Sequence, residues 1–114
     1  KDFVIIDAGM NDFMRPALYD AIHKIIPIKK SKSKLKGTIE FVGPICESTC
    51  KFGSYKNYQK MSENDFVAIT NVGAYGSSLS SNYNSRPLIA ELLVNKNKIK
   101  YIRKKQDLLK LINS

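Results

Sequence analysis

The chain has 114 residues, with 43% hydrophobic and 25% charged side chains and a formal net charge of +9. These values describe one soluble globular domain (1–114), because the length is too short for two cores. They exclude a disordered chain. No segment approaches the roughly 18 apolar residues of a membrane span, so no membrane contact is expected. The start, KDFVIIDAG, lacks an initiator methionine and a signal-peptide pattern, and we expect this chain to be a piece of a longer protein.

The first part of the chain predicts a strand and then a helix. The β-branched run FVIID (3–7) ends near Gly9 and is typical of a strand. The segment 11–27 predicts a helix, since Pro16 suits the first helical turn and Pro27 would end it. Apolar residues recur on one face of this helix at Leu18, Ala21, Ile22 and Ile25.

The positive charge is concentrated in two places. Five lysines lie within KKSKSKLK (29–36), and a second basic group lies in NKNKIKYIRKK (95–105). The first segment contains one apolar residue and is typical of a solvated loop. Aromatic side chains do not alternate with these lysines as a base-stacking surface requires, so we expect no nucleic-acid binding. A stand-alone β-rich binding module that contacts an acidic partner through these lysines stays open as an alternative.

The rest of the chain is predicted to be mostly β. Strands are expected at 37–43, 65–71, 88–94 and 98–103, and the last two form a hairpin around NKNK. A short terminal helix is predicted over 106–112. The order is mainly β with one early helix and no internal repeat, which predicts a small β-barrel or sandwich.

Arg15 and Tyr19 form the first candidate site. They are four residues apart at a helix start, so both side chains can point the same way. Arg15 precedes a proline, which biases it out of helical geometry. A guanidinium beside a phenol suits a bound carboxylate, because arginine offers a planar fork of donors. A surface arginine that packs on a tyrosine explains the same pattern.

The segment GPICESTC (43–50) places a thiol, Cys46, beside a carboxylate, Glu47. Such a pair suits an acid, a nucleophile or a ligand contact. The carboxylate disfavours a thiolate because like charges repel, and the single histidine, His23, lies on the early predicted helix. We therefore expect a proton-donating or substrate-contacting thiol. Two cysteines and one histidine are too few for a disulfide framework or a zinc site, so no metal is expected.

The segment NVGAYGSSLSSNYNSRP (71–87) contains Gly73 and Gly76 on either side of Tyr75. Glycines permit positive φ and close backbone approach. The segment therefore suits a phosphate cradle or the presentation of Tyr75 into a cleft. A plain polar loop is the alternative.

Four segments in one order are more specific than any of them alone. DAGMNDFMRPALYDA, GPICEST, GAYG and SSNYNSRP, with Glu91 just after, closely resemble the C-terminal domain of the diaminopimelate decarboxylases. These enzymes are pyridoxal-phosphate (PLP) decarboxylases of alanine-racemase-like fold. The resemblance extends from about residue 2 to residue 103.

The resemblance implies a fold, a cofactor and a reaction. Family members have an N-terminal (β/α)8 barrel that carries the PLP lysine, and a C-terminal β domain to which this chain corresponds. The reaction converts meso-2,6-diaminopimelate to L-lysine and carbon dioxide, with pyridoxal 5'-phosphate as the electron sink. The Schiff-base lysine is expected outside this chain, and the chain alone is expected to be inactive.

The resemblance also implies residue roles. Arg15 and Tyr19 match residues that hold the distal carboxylate of the substrate. Cys46 matches the proton donor to the reacting carbon, and Glu47 matches a carboxylate that contacts the distal ammonium. Tyr75 matches a tyrosine that contacts both PLP and substrate. Related ornithine and arginine decarboxylases usually have Cys-Asp at the position of Cys46-Glu47, which favours diaminopimelate as the substrate.

The implied partners are the barrel of the same protein and a second subunit. In the family homodimer the active sites are shared, with Cys46 and Glu47 reaching the partner's site. Relatives also complete the β domain with strand material from the start of the full-length chain, so we expect an exposed sheet edge here. Reduced thiols fit a cytoplasmic enzyme.

Overall fold

The computed structural model describes residues 2–45 and 47–113. Within these ranges the elements in chain order are β1 (Asp2–Ile5), α1 (Arg15–Tyr19), β2 (Ile25–Pro27), β3 (Thr38–Val42), β4 (Lys51–Lys56), β5 (Val67–Ile69), α2 (Gly73–Gly76), a 3-10 turn (Tyr83–Ser85), β6 (Glu91–Asn95), β7 (Lys98–Arg103) and α3 (Leu108–Ile112).

The central sheet has the strand order β1-β3-β4. Strand β1 pairs parallel to β3, with Asp2 opposite Ile39, and β4 pairs antiparallel to β3, with a register shift between Phe41 and Val42. Strand β3 is the middle strand, and it is buried on both faces: Ile39 and Phe41 on one face and Glu40 on the other are buried.

The core lies on one face of this sheet. It consists of Phe13, Ile25, Ile39, Phe41 and Phe52. Two tyrosines of the β4 region extend it, because the rings of Tyr55 and Tyr58 meet the Phe41 ring edge-on at 5.8 and 5.1 Å between centroids. The apolar faces of β2, β3 and β4 therefore meet in one cluster, which also contains Phe13 from the loop before α1.

The predicted helix over 11–27 is wrong in its length. The observed helix α1 ends at Tyr19, because Asp20 adopts the left-handed conformation with φ 53°. The amide N–H groups of Asp20 and Ala21 both donate to the Arg15 carbonyl, a common closure of a helix end. Ile22, predicted to lie on the buried face, is 96% exposed.

The remainder of the predicted helix forms strand β2 instead. Ile25 lies opposite Ile69 of β5, in an antiparallel pair. The Ile25 backbone is bound by tyrosine side chains: its N–H donates to the Tyr55 hydroxyl at 2.9 Å, and its carbonyl accepts from the Tyr58 hydroxyl at 2.8 Å. These partners replace the hydrogen bonds that a helix would have supplied.

The other predicted elements have mixed outcomes. The strands predicted near 37–43, 65–71, 88–94 and 98–103, the hairpin and the terminal helix are confirmed, whereas β2 and β4 were not predicted. The mainly β class is confirmed, but the predicted barrel is wrong: the described strands form three open sheets, β1-β3-β4, β2-β5 and β6-β7. In the part of the chain described, no helix is long and apolar enough to cross a membrane.

Candidate functional site

A buried turn between β1 and α1 organises the loops of the candidate site. The Asp12 carboxylate accepts a hydrogen bond from the Gly9 N–H at 2.8 Å, and the Gly9 carbonyl accepts from the Asp12 N–H at 3.0 Å. Asn11 is fully buried, and its side-chain amide donates to the Asp12 carboxylate at 3.3 Å. The turn is thus fixed by its own polar side chains directly before the core residue Phe13.

The segment 80–86 is anchored on this turn. The Arg86 guanidinium donates to the Asp7 carbonyl at 2.7 Å and lies 3.4 Å from the Asp12 carboxylate. Asn11 adds two bonds to Ser81: its carbonyl accepts from the Ser81 N–H at 2.9 Å, and its side-chain amide donates to the Ser81 carbonyl at 3.2 Å. Both ends of the segment are therefore held by buried or half-buried groups.

The loop 43–50 packs against the same turn. A Cβ on Gly43 would lie 2.6 Å from the Ala8 carbonyl and 2.5 Å from the Cys50 sulfur, so only glycine fits there. The Gly43 N–H donates to the Cys50 carbonyl at 2.9 Å and closes the loop. Glu47 lies at the exposed tip of this loop.

Arg15 and Tyr19 lie side by side on α1, as predicted. The Arg15 guanidinium carbon is 6.0 Å from the centroid of the Tyr19 ring, a distance typical of a weak cation–π contact. Tyr19 is 61% exposed. Within residues 2–45 and 47–113, the Arg15 guanidinium has no carboxylate or carbonyl partner, so its fork of donors is available to a ligand.

Tyr75 lies in the distorted helical segment α2. Its own φ is 63°, so the left-handed residue of this turn is the tyrosine and not either neighbouring glycine, contrary to the expected use of Gly73 and Gly76. The Tyr75 side chain is 64% exposed. A Cβ on Gly73 would meet no atom within 4 Å, so the space beside the turn is open.

Glu47 has a partner that the sequence did not indicate. The Tyr83 hydroxyl donates a hydrogen bond to Glu47 Oε1 at 2.5 Å. This bond, together with the negative charge of Glu47, raises the pKa of the Tyr83 hydroxyl above its ordinary value. Cys46, the predicted proton donor, lies outside the described residues.

The structure thus provides two pairs, Arg15–Tyr19 and Glu47–Tyr83, and the separate Tyr75. These side chains lie on the surface. A cleft of about 420 Å³ between α2 and the β6–β7 hairpin is lined by other residues, among them Phe13, Val72, Leu92 and Arg103. The candidate residues therefore need a second surface to enclose a small molecule.

Sequence reasoning missed four residues of this arrangement: Asn11, Asp12, Tyr83 and Arg86. Polar side chains immediately before the apolar Phe13 were the available signal for the buried turn. Among the described side chains, no group of three or more potential metal ligands is placed to hold an ion.

Comparison with known proteins identifies a family whose members are similar to this chain. The sequence profile described as "Pyridoxal-dependent decarboxylase, C-terminal sheet domain" matches residues 1–73. A diaminopimelate decarboxylase from Helicobacter pylori is 48% identical over 108 residues, which is 95% of this chain and 27% of that protein. Its counterpart from Aquifex aeolicus is 41% identical over 107 residues, 94% of this chain and 25% of that protein. The chain thus spans about a quarter of the length of these curated relatives.

Solved structures agree with the sequence comparison. The crystal structure of a Helicobacter pylori diaminopimelate decarboxylase complexed with L-lysine matches 97% of this chain and 27% of that chain, with a TM-score of 0.85 and 46% identity. The M. jannaschii diaminopimelate decarboxylase in co-complex with L-lysine matches 96% of this chain and 25% of that chain, with a TM-score of 0.87 and 40% identity.

Proposed function

Since this chain belongs to the family of C-terminal sheet domains of pyridoxal-dependent decarboxylases, we propose that it is the substrate-recognition domain of a diaminopimelate decarboxylase. In this proposal the whole enzyme converts meso-2,6-diaminopimelate to L-lysine in lysine biosynthesis. One carbon–carboxylate bond breaks, carbon dioxide leaves and one proton is added to the same carbon. Bound PLP supplies the sink for the electron pair that the departing carbon dioxide leaves behind.

The observation that carries the proposal is the position of the Arg15 guanidinium beside Tyr19. Among the residues that the structure describes, this guanidinium has no carboxylate or carbonyl partner, and beside an exposed phenol it suits a carboxylate, which it would bind through two parallel N–H donors. We assign it the distal carboxylate of diaminopimelate. That carboxylate is the one that remains in L-lysine, because the other is lost as carbon dioxide. The relatives crystallised with L-lysine are consistent with this chemistry.

The remaining candidate residues take complementary roles in the proposal. Glu47 contacts the distal ammonium. Its carboxylate is accessible for this contact because it is exposed at a loop tip. Cys46 gives the proton to the reacting carbon. Tyr75 contacts PLP and substrate: its phenol is exposed and the neighbouring Gly73 leaves open space, so a planar group has access to the turn. The Schiff-base lysine is placed outside this chain.

The proposal includes a shared site. Arg15, Tyr19 and Tyr75 serve the barrel of their own chain, whereas Cys46 and Glu47 reach the site of the partner in a homodimer. The exposure of Tyr19 and Tyr75 supports this arrangement, since a buried site requires a covering surface. A cytoplasmic location is also proposed, and the buried, unpaired Cys50 suits a reducing compartment.

The test of the distal-carboxylate assignment is Arg15→Lys in the full-length enzyme. Lysine keeps the charge but loses the two-donor fork, so the KM for diaminopimelate should rise by ~10–100-fold. Product inhibition by L-lysine should weaken equally, because L-lysine retains the distal carboxylate. Steady-state kinetics with both compounds measure these changes.

The matched control is a ligand rather than a variant. Inhibition by 1,5-diaminopentane, which has both amines of L-lysine but no carboxylate, should be the same in Arg15→Lys and in the unmodified enzyme. If Arg15→Lys weakened the binding of all three compounds equally, the substitution would disturb the fold and not one specific contact. Unchanged kinetics would mean that Arg15 does not contact the substrate.

A further inference from the structure

The hydrogen bond between Tyr83 and Glu47 connects two segments that are far apart in sequence. Tyr83 Oη lies 2.5 Å from Glu47 Oε1, and the two residues are 36 positions apart. Glu47 has a second carboxylate oxygen, Oε2, for which the described residues provide no partner. One oxygen is thus fixed by the protein, and the other is available to a cation.

The position of Tyr83 is fixed by the turn that carries it. The Tyr83 N–H donates to the Ser81 hydroxyl at 3.3 Å, and the Tyr83 carbonyl accepts from the Arg86 N–H at 3.4 Å. The following residues, Asn84 and Ser85, have φ values of 61° and 57°, a left-handed conformation that residues with a side chain adopt at a cost. The surrounding contacts hold the turn in this form.

These contacts lead back to the buried turn before α1. Arg86 is bound to the Asp7 carbonyl and to the Asp12 carboxylate, and Ser81 is bound to the buried Asn11 at two points. The same turn leads into Arg15 and Tyr19. The phenol on Glu47 is therefore held by the same buried turn that precedes the Arg15–Tyr19 pair.

We infer that Tyr83 is a positioning residue that orients the Glu47 carboxylate toward the distal ammonium of the substrate, an inference that rests on the proposed function. Tyr83 is 46% exposed, and Glu47 is exposed as well. A hydrogen bond between two solvated side chains adds little to folding, because water competes for both groups. The Tyr83–Glu47 hydrogen bond instead orients the carboxylate of Glu47, a flexible side chain that would otherwise sample several rotamers.

The charge distribution agrees with this role. The hydrogen bond to Glu47, and secondarily the negative charge of Glu47, raises the pKa of the Tyr83 hydroxyl and so keeps that hydroxyl protonated. The phenol is therefore a neutral donor throughout the working range of an enzyme near neutral pH. It orients Glu47 without cancelling the charge that attracts the ammonium.

The test compares Tyr83→Phe, Glu47→Ala and the double variant in the full-length, PLP-loaded enzyme with meso-diaminopimelate. Tyr83→Phe removes one hydroxyl, so KM should rise about tenfold with little change in kcat, as expected for lost substrate binding. In the Glu47→Ala background the same substitution should change nothing further, because no carboxylate remains to be oriented. The thermal unfolding midpoint should not move.

Tyr101→Phe is the matched control. Tyr101 is an exposed tyrosine of β7, and the loss of its hydroxyl should leave KM unchanged. The inference is overturned if Tyr83→Phe leaves KM unchanged or lowers it, or if it has the same effect with and without Glu47. If the unmodified enzyme turns over diaminopimelate and Tyr83→Phe leaves KM unchanged, this inference alone is overturned. An unmodified enzyme that does not turn over diaminopimelate overturns the proposed function together with it.

Discussion

Two tyrosine hydroxyls bind the backbone of a single residue in β2. Tyr58 donates to the Ile25 carbonyl at 2.8 Å, and Tyr55 accepts from the Ile25 N–H at 2.9 Å and donates to the His23 carbonyl at 3.3 Å. Burial, and secondarily the neighbouring Tyr55, raises the pKa of Tyr58 to about 12. The neutral phenol is therefore favoured in the folded chain.

This residue makes stability depend on pH in the alkaline range. The unfolded chain releases the Tyr58 proton near the ordinary pKa of 10, whereas the folded chain retains it to about 12. The stabilisation is thus fully present below pH 10 and is lost as pH rises toward 12. We predict that Tyr58→Phe lowers the unfolding free energy by ~1 kcal/mol at pH 8, through the lost hydrogen bond to Ile25.

Urea unfolding of both proteins at several pH values between 8 and 11.5 measures this effect. The difference between them should shrink as pH rises, since phenylalanine does not ionise. Tyr101→Phe, at an exposed position, should give the same pH curve as the unmodified chain. A constant difference across the range would contradict the assigned role of Tyr58.

At the level of elements, the strands outside the core carry much exposed apolar surface. Phe3 and Ile5 of the edge strand β1 are 59% and 72% exposed. The β6–β7 hairpin exposes a larger set on its two strands: Leu92, Leu93, Val94, Ile99, Tyr101 and Ile102. Unpaired strand edges with apolar side chains pair readily with other chains.

We predict that the isolated 114-residue chain self-associates through these edges. Sedimentation velocity should show an average mass that rises with protein concentration. Ile5→Lys and Ile102→Lys should reduce the association, because a charge on an edge strand opposes pairing. Ile22→Lys is the control, since Ile22 is 96% exposed in a loop. A monomer at every concentration would contradict this prediction.

The sequence predicted elements well where local pattern decides and poorly where tertiary contacts do. The strands around Ile39 and Val94 have alternating or continuous apolar residues and were found. The helix beyond Tyr19 was wrong because Ile22 and Ile25 have helical spacing, but Asp20 turns left-handed and distant tyrosines bind Ile25. No local pattern contains that information.

The same division applies to the candidate site. Arg15 and Tyr19 are four residues apart on one helix, so their contact followed from spacing. Tyr83 meets Glu47 only because Arg86 and Asn11 fix the segment that carries it. A hydrogen bond between residues in two different loops leaves no periodic pattern in the sequence from which it could be predicted. It depends on the buried turn, whose polar residues have no distinctive spacing.

At the level of the whole molecule, the candidate residues do not enclose a site. Tyr19 and Tyr75 are more than half exposed, and the chain spans about a quarter of its relatives' length. Small-molecule sites bury most of their ligand, so the remaining surface has to come from elsewhere. In the proposed homodimer each subunit supplies part of this surface to the other, so that two-fold symmetry gives two sites. In this proposal dimerisation is a condition for activity, because Cys46 would act on the substrate held by the partner.

This sharing leads to a quantitative prediction for two full-length variants that are each inactive. One lacks the PLP lysine of the barrel, and the other has Cys46→Ala. Random exchange of subunits makes half of the dimers mixed, and in each mixed dimer one site receives an intact lysine and an intact thiol. Roughly a quarter of the unmodified activity should therefore return on mixing, as two-fold symmetry requires. Mixing the lysine-less variant with Tyr101→Phe in place of Cys46→Ala should give about half of the unmodified activity whether or not subunits exchange, by the same two-subunit arithmetic, so it controls for activity lost in the mixing procedure itself. If mixed dimers form, as shown by mass spectrometry with one subunit isotopically labelled, and no activity returns, then Cys46 serves its own subunit.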